Sequence, residues 1–239
     1  MTPTKRVDAR VADDSLPPAP APRTLSERAY LHLRQDIVEG RIGPGERLRV
    51  EHLKDRYEVG AGTLREAMAL LVFDALVTVE GQRGYRVTAI SLADLQDLTD
   101  TRVRLETEAL RLSIRCGDAQ WEARLRAAFD SLSVAEARNP AADAAGWEQA
   151  NRRFHEALIA AHHSPWSQHL LTLLYRHGER YRHVAIRVGA NRSASRNVHE
   201  EHALIFEAAV ARREARAALA LEAHIRLTYE LLSSAQIEM

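Results

Sequence analysis

A helix-turn-helix pattern followed by two short β-type segments constrains this chain more than any other feature. A first helix is predicted over Val50–Tyr57, a turn over Glu58–Gly62 and an amphipathic second helix over Thr63–Phe73. The segments Leu76–Glu80 and Tyr85–Thr88 have strand character and flank a glycine-bearing turn. This arrangement presents the second helix to a DNA major groove and offers a β-wing to the neighbouring groove. The stretch therefore predicts a DNA-binding module.

The balance of charge restricts the kind of DNA-binding protein that this chain can be. Lysine plus arginine and aspartate plus glutamate both number 33, so the formal net charge is zero. A protein that coats DNA without regard to sequence neutralises many phosphates and is basic. The neutral charge disfavours an architectural DNA protein. It is compatible with a sequence-specific regulator, which needs only a few arginines at its recognition surface.

Cysteine usage and apolar content indicate the compartment. Cys116 is the single cysteine, which rules out an intramolecular disulfide and fits a reducing environment. No apolar run approaches the roughly 20 residues that span a bilayer, and the N-terminus lacks the apolar core of a secretory signal. We expect a cytoplasmic protein without a membrane partner.

Composition and periodicity divide the chain into three parts. Residues 1–23 are predicted to be a disordered tail, because they include a proline- and alanine-rich stretch. Residues 24–89 hold the DNA-binding module, and residues 90–239 carry about six helical patterns with short connections, as in a bundle. The fold class is therefore predicted to be mainly α, a winged helix-turn-helix followed by an all-α helical bundle. The predicted bundle helices cover about 92–115, 119–138, 147–162, 165–187, 196–211 and 214–233.

The early residues of the second helix are candidates for DNA contact, because they face the base edges in a helix-turn-helix. They include Gly62, Thr63 and Arg65, and Arg65 has the forked side chain that pairs with guanine or phosphate. Arg83 lies at the tip of the predicted wing, within reach of a minor groove or a phosphate. The alternative for both arginines is a solvated side chain without a role in binding.

Several short motifs are similar to those of one family of regulators. The segments Leu33–Gly40 and Pro44–Leu48, and above all Thr63–Met68, resemble the N-terminal winged helix-turn-helix of GntR-family transcriptional regulators. The helical remainder resembles the FCD effector domain of the FadR subfamily. The resemblance implies a ligand-responsive regulator, expected to be a repressor. Because one helix-turn-helix covers few base pairs, we expect a homodimer on an inverted-repeat operator in double-stranded DNA.

The chain departs from the family pattern in the segment that reads DNA. Ala61 stands where members commonly carry an arginine used for base contacts. Glu51 stands where some members have an arginine in the first helix. Contact with the operator is therefore expected to depend more strongly on Arg49, Arg65 and Arg83.

A candidate metal site is spread over three predicted helices. Asn151 and His155 are four residues apart and project from one helical face, whereas His202 and His224 lie on two later helices. Three imidazoles and one oxygen donor suit Zn(II), Ni(II), Fe(II) or Mn(II). Taken singly, each histidine is more often a surface or core residue. The FCD resemblance implies that these four positions hold a divalent metal, Zn first among them, with the neutral amide of Asn151 as the weakest donor.

The resemblance also implies an effector site beside the metal. Arg102, one helix earlier, is expected to enter the cavity and pair with a carboxylate of the ligand. The alternative is an ion pair with Glu106, one turn further along the same helix. An open metal position next to a buried arginine suits a small carboxylic or hydroxy acid as effector.

Two other functions compete with this interpretation. A metal-dependent hydrolase or oxygenase would use the histidines in catalysis, but a zincin helix needs histidines four residues apart, and Ala203 stands at that distance from His199. Such an enzyme would also leave the N-terminal module without a purpose, so we expect no enzyme. A regulator that senses the metal ion itself is the nearer alternative. Metal-dependent operator binding without an organic ligand would favour it.

Overall fold

The computed structural model describes residues 24–81, 84–138, 143–190 and 196–234. The predicted tail over 1–23 lies outside these ranges. Within them the prediction of a mainly α fold with a small sheet is confirmed, and none of the helices there is both long and apolar enough to cross a membrane. The elements in chain order are α1 (Leu25–Val38), β1 (Arg47–Leu48), α2 (Val50–Arg56), α3 (Ala61–Phe73), β2 (Val77–Val79), β3 (Tyr85–Val87), α4 (Leu92–Cys116), α5 (Ala119–Ala137), α6 (Ala144–Leu158), α7 (Pro165–Ala190), α8 (Val198–Val210) and α9 (Glu214–Ser234).

The N-terminal elements build a winged helix-turn-helix around α3. Helix α1 begins after Thr24, whose hydroxyl accepts a hydrogen bond from the Glu27 amide at 3.0 Å and so satisfies a free N–H of the first turn. Helix α3 packs against α1 and α2 through fully buried side chains that include Leu33, Leu64 and Met68. Burial of this apolar surface holds the second helix of the motif in place.

The wing is an antiparallel sheet of strand order β1-β3-β2. Arg86 of β3 is in register with Thr78 of β2 and with Arg47 of β1. Strand β1 was not predicted, because two residues show no alternation of their own and become a strand only by pairing with a distant segment. Leu48 belongs to this strand, directly before the first helix of the motif.

Helix α3 begins earlier than the sequence pattern indicates. It starts at Ala61, after Gly60 with φ −67° and ψ 154° as its N-cap, whereas the prediction began the helix at Thr63. Small residues carry little apolar periodicity, and glycine is accepted at an N-cap without a side-chain bond. Ala61 and Gly62, which were predicted as part of the turn, therefore lie with Thr63 in the first turn of the helix.

The C-terminal elements α4 to α9 form the predicted helical bundle. Helix α4 packs against both α7 and α9, while α5 packs on α6 and α8 on α9. Trp121, Leu125 and Phe154 are fully buried in the main core. The helices begin at polar caps: Ser91 accepts from an amide of α4, and Asp118 accepts from the Trp121 amide at 2.8 Å.

Two bundle helices differ in extent from the prediction. Helix α6 spans Ala144–Leu158 rather than about 147–162, because Asp143 caps it and accepts a hydrogen bond from the helix start. Helix α7 spans Pro165–Ala190 and includes Gly189, which was predicted as loop. A glycine disfavours a helix by only about 1 kcal/mol, which neighbouring helical structure overrides.

Helix α7 also contacts the DNA-binding module. Arg34 of α1 forms an ion pair with Glu179, and both side chains are only 13% exposed. Arg180 donates a hydrogen bond to the Thr88 carbonyl at 2.9 Å, just after the wing. The two parts of the chain are therefore joined by side-chain contacts as well as by the polypeptide between β3 and α4.

Candidate functional site

The start of α3 carries the residues that were predicted to meet DNA. Gly62 and Arg65 are exposed there, and Thr63 is half-buried. Arg49 is exposed at the N-cap of α2, in the other helix of the motif. The structure therefore leaves these positions on the surface, where an approaching duplex can reach them. Arg83 lies outside the described residues.

The wing base contains two further arginines whose charges are already engaged. Arg86 holds the Glu80 carboxylate through two of its nitrogens, and it also donates to the Gly45 carbonyl. Arg47 lies 3.8 Å from the same carboxylate. These contacts fix the strands relative to one another. Arg47 is nevertheless half exposed, so it stays on the surface as Arg49 and Arg65 do.

Three histidines from three helices meet inside the bundle. His155 of α6, His202 of α8 and His224 of α9 each offer a ring nitrogen, and these nitrogens lie within 4.8 Å of one another. The ring centroids of His202 and His224 are 4.5 Å apart, and that of His155 is 5.2 Å from His224. The structure thus brings together the three imidazoles that the sequence analysis grouped.

Carboxylates outside this trio orient two of the rings. Nδ1 of His202 lies 2.6 Å from a Glu136 oxygen, and Nδ1 of His224 lies 2.7 Å from a Glu201 oxygen. A carboxylate accepts a hydrogen bond, so Nδ1 of each ring donates to its glutamate and Nε2 is the nitrogen left for another partner. Nε2 of His202 is buried and has no hydrogen-bond partner. An imidazole held in this way is the usual arrangement of a metal-binding histidine.

Burial keeps two rings of the trio, those of His155 and His224, neutral. The pKa of His155 and that of His224 lie well below the ordinary value, first because burial disfavours the charged imidazolium and then because other histidines and arginines stand nearby. A neutral imidazole has the free lone pair that a cation needs.

Asn151 supplies an oxygen on the same face of α6 as His155. It is 1% exposed, and its amide nitrogen donates a hydrogen bond to the Tyr175 hydroxyl at 2.7 Å. Its carbonyl oxygen is buried without a partner. A buried polar atom without a partner is costly. Three imidazoles and an unpartnered amide oxygen are therefore a donor set that fits a divalent cation such as Zn(II).

Arg102 lies in the same buried region, and the ion pair considered as its alternative role is present. Its Nε donates to Glu106 at 2.7 Å. The Tyr175 ring stands beside two guanidinium groups, with its centroid 5.6 Å from Arg102 and 4.2 Å from Arg182. Whether Arg102 also meets a ligand stays a prediction.

A glycine lets these two arginines approach α7. A side-chain carbon on Gly178 would lie 2.9 Å from Nη1 of Arg182 and 3.1 Å from Nη1 of Arg102. Arg182 is held by Glu148 through Nε at 3.0 Å, yet its buried Nη1 has no hydrogen-bond partner. The two Nη1 groups thus both lie against the backbone of Gly178.

A cavity of about 110 Å³ opens between α6 and α7. His155, Glu106 and Tyr175 line it on the side of the histidine trio, and Arg152 and Arg176 line it elsewhere. Its size admits a small ligand only. A ligand in this cavity would therefore lie beside His155 of the trio and near two cationic side chains.

The catalytic alternative gains nothing from the geometry. His199 is half exposed, and its Nδ1 lies 2.8 Å from Glu136, outside the trio formed by His155, His202 and His224. It therefore does not complete a zincin-like pair with His202.

Sequence reasoning missed several residues that shape this site. Glu136, Tyr175, Gly178, Arg182 and Glu201 were not singled out from the sequence. Glu136 lies 66 positions from the histidine that it orients, so no local spacing could reveal the pair. The glycine inside a long helical pattern was a usable signal for Gly178, because such a glycine often has a packing reason.

Two family models match this sequence. The model of the FCD domain matches residues 97–227, and the model of bacterial regulatory proteins of the gntR family matches residues 25–87. The second match ends with the last residue of β3, and the first lies within the helical bundle.

Relatives extend over nearly the whole chain. The HTH-type transcriptional regulator BphR of Paraburkholderia xenovorans is 48% identical over 221 residues, which cover 91% of this chain and 89% of that protein. The HTH-type transcriptional repressor GlaR of Escherichia coli is 32% identical over 208 residues, which cover 86% of this chain and 94% of that protein. The solved structure of McbR/YncC from Escherichia coli has a TM-score of 0.71 at 19% identity, covering 88% of this chain and 98% of that one. It shows a shared fold.

Proposed function

Because this chain belongs to the GntR family of bacterial regulatory proteins and carries an FCD domain, we propose that it is a repressor whose affinity for operator DNA is changed by a small carboxylic acid bound beside a divalent metal. The chain is a transcription regulator and not an enzyme, in keeping with its family and with the relatives BphR and GlaR. Repression is supported by the name of the related GlaR. A bacterial operator lies in the cytoplasm, where we expect the protein to act as a homodimer.

The DNA-binding part of the proposal is supported by the exposed start of α3. Arg65 lies there on the surface, with Gly62 and Thr63 one turn or less away. The N-terminal residues of this helix are those that approach base edges in helix-turn-helix proteins. Arg49 at the start of α2 adds a second exposed cation, suited to a phosphate.

The metal part rests on one observation above all, the convergence of three buried imidazoles with an unpartnered Nε2 on His202. His155, His202 and His224 would hold the ion, and Asn151 offers a fourth, weaker donor. A bound divalent ion supplies a strong attraction for a carboxylate oxygen. Glu136 and Glu201 keep two of the rings oriented before the ion binds.

The effector part is supported by the cations around the trio and by the cavity that leads to it. Arg102 lies one turn before Glu106 on α4, buried and close to the Tyr175 ring. A short acid can place one carboxylate at the metal and be held there by a guanidinium, which favours carboxylates geometrically. The cavity of about 110 Å³ limits the effector to a small molecule.

Elemental analysis of matched histidine variants tests the metal site. The protein incubated with Zn(II) and then dialysed is expected to retain the ion. His202→Ala should lose most of it, because the variant removes one of the buried ligands. His199→Ala is the matched control: it lies one turn earlier on α8, contacts the same Glu136 carboxylate, and stands outside the trio. Equal metal content in wild type and His202→Ala would contradict the site.

Thermal unfolding of the metal-loaded protein with a panel of small carboxylic acids tests the effector. An acid that binds only the folded state raises the apparent stability, by about 2.7 kcal/mol at a concentration of one hundred times its Kd. The same acid should weaken operator binding in a mobility-shift titration. If Zn(II) alone changes operator affinity and no acid has an effect, the protein is a metal sensor instead.

A further inference from the structure

Arg176 belongs to two sites at once. It lines the cavity that leads to the histidine trio, together with His155 and Tyr175. Its Nη1 also donates to a carboxylate oxygen of Asp74 at 2.8 Å. Asp74 lies in the DNA-binding module, so a single side chain links the cavity with that module.

Asp74 is the residue at which α3 ends, and α3 is the helix proposed to read DNA, here called the recognition helix. It is the C-cap of α3, and its side chain is only 3% exposed. Tyr30 of α1 donates a hydrogen bond to the second oxygen of the same carboxylate. The Asp74 carbonyl accepts a hydrogen bond from His177 Nε2 at 2.7 Å. Arg176 and His177 of α7 thus fasten the end of α3 to the effector domain, and we name this set of contacts the Asp74 clamp.

We propose that the cavity between α6 and α7 binds a second carboxylate of the effector through Arg176, and that this contact competes with Asp74 and releases the recognition helix. The inference rests on the proposed function and adds to it the class of effector, a small diacid, and the residue that transmits its binding. One acid group goes to the metal, and the other remains near Arg176.

The exposure of Arg176 and the second donor to Asp74 make such an exchange possible, and the cost of leaving the buried Asp74 without its cation is what makes ligand and clamp compete. The Asp74 carboxylate has a second donor in Tyr30, so it keeps a hydrogen bond when the guanidinium turns away. The Arg176 side chain is 37% exposed and therefore has room to move, unlike Arg102, which is held by Glu106 in the interior. A ligand carboxylate replaces the lost charge partner, so the guanidinium is never left unpaired.

If the ligand and Asp74 compete for Arg176, the state of Asp74 must change the affinity for the ligand. A purely structural ion pair would have no such effect. A ligand that must displace Asp74 binds more weakly than one that finds Arg176 free. Asp74→Asn removes the competing charge and keeps the shape of the side chain. It should therefore raise the affinity for a diacid, whereas Arg176→Gln should lower it. Both variants break the clamp and should weaken operator binding in the absence of effector.

Calorimetric titration of the metal-loaded full-length protein tests this prediction. The probes are succinate, glutarate and adipate, each compared with the monocarboxylate of the same length. Wild type should prefer at least one diacid over its matched monoacid. Arg176→Gln should bind that diacid about tenfold more weakly and the monoacid unchanged, and Asp74→Asn should bind the diacid several-fold more tightly. Glu179→Gln is the control, because it weakens another contact between α7 and the DNA-binding module without lining the cavity. It should leave the preference for the diacid over the monoacid as in wild type.

The outcomes separate this inference from the proposed function. If wild type binds none of the small acids, the effector part of the proposed function fails. If it binds monoacids and diacids alike, or if Arg176→Gln keeps the preference for the diacid, only the role of Arg176 is overturned. The same holds if Asp74→Asn binds the diacid no more tightly than wild type. Circular dichroism of each variant establishes that the fold is retained. Should Asp74→Asn fail to fold, Tyr30→Phe serves as a second test, because it removes the hydrogen bond that Asp74 keeps on release. It should weaken binding of the diacid and leave binding of the monoacid unchanged, and unchanged binding of both would overturn the exchange.

Discussion

Two histidines of the trio are oriented by hydrogen-bond partners that lie outside it. Glu136 accepts from His202 and Glu201 accepts from His224, so in both rings Nδ1 is occupied and Nε2 is left for another atom. Such partners fix the tautomer and increase the donor strength of the ring. Replacing either carboxylate is therefore expected to weaken a metal site without removing any of its ligands.

Arg65 is the residue on which we expect DNA recognition to depend most. Arg65→Ala should reduce affinity for an operator selected from a random duplex library by about tenfold or more, because a bidentate base contact contributes about 1–3 kcal/mol of discrimination. Fluorescence anisotropy measures the change. Arg28→Ala, an exposed arginine on α1, is the control with the same loss of charge and should change affinity little. Unchanged affinity in Arg65→Ala would remove this residue from the recognition surface.

Helix α7 is the element on which the effector domain and the DNA-binding module meet. Tyr175 and Arg182 belong to the buried region around the histidines. Other positions of the same helix, His177 and Arg180, bond the carbonyls of Asp74 and Thr88. A rigid helix that carries contacts of both kinds couples the two parts physically, because a shift of one set moves the other.

The joint between the wing and α4 depends on Tyr181 of α7. Its hydroxyl donates to the Asp94 carboxylate and lies 3.3 Å from the Ser91 amide, and burial followed by the Asp94 contact raises its pKa. Tyr181→Phe removes the hydrogen bonds that this buried side chain makes with Ser91 and Asp94 and should lower the free energy of unfolding by about 1 kcal/mol. Urea denaturation measures the loss. Tyr229→Phe, whose hydroxyl makes a long, exposed contact with Gln96, should stay within about 0.5 kcal/mol of wild type. Equal effects in the two variants would show that the joint does not depend on Tyr181.

Each chain contributes a single helix-turn-helix to DNA binding. A single recognition helix contacts only a few base pairs, so useful specificity needs a second head at a fixed half-site spacing. We expect sedimentation velocity to show a dimer at the concentrations at which the protein binds its operator, and the selected operators to be inverted repeats. A monomer that binds a single half-site equally tightly would contradict this arrangement.

Much of this architecture is determined by local sequence. Helix starts such as those after Thr24, Ser91 and Asp118 could be read from the chain, because a cap and the following apolar periodicity act within a few residues. The shared face of Asn151 and His155 likewise follows from helical geometry alone. The ion pair of Arg102 with its neighbour one turn on was foreseeable for the same reason.

Only the tertiary structure decided which distant residues meet. Strand β1 exists because β3 pairs with it, and the partners of His202 and Asn151 come from other helices. The contact between Arg176 and Asp74 joins residues 102 positions apart. Such contacts depend on how whole helices pack, and that packing is decided by the summed burial of many apolar side chains. The spacing of a few polar residues along the chain therefore does not predict which of them meet. The sequence by itself therefore determined the modules and the candidate ligands, and packing decided how those ligands are oriented and that Arg176 of the cavity contacts the end of α3.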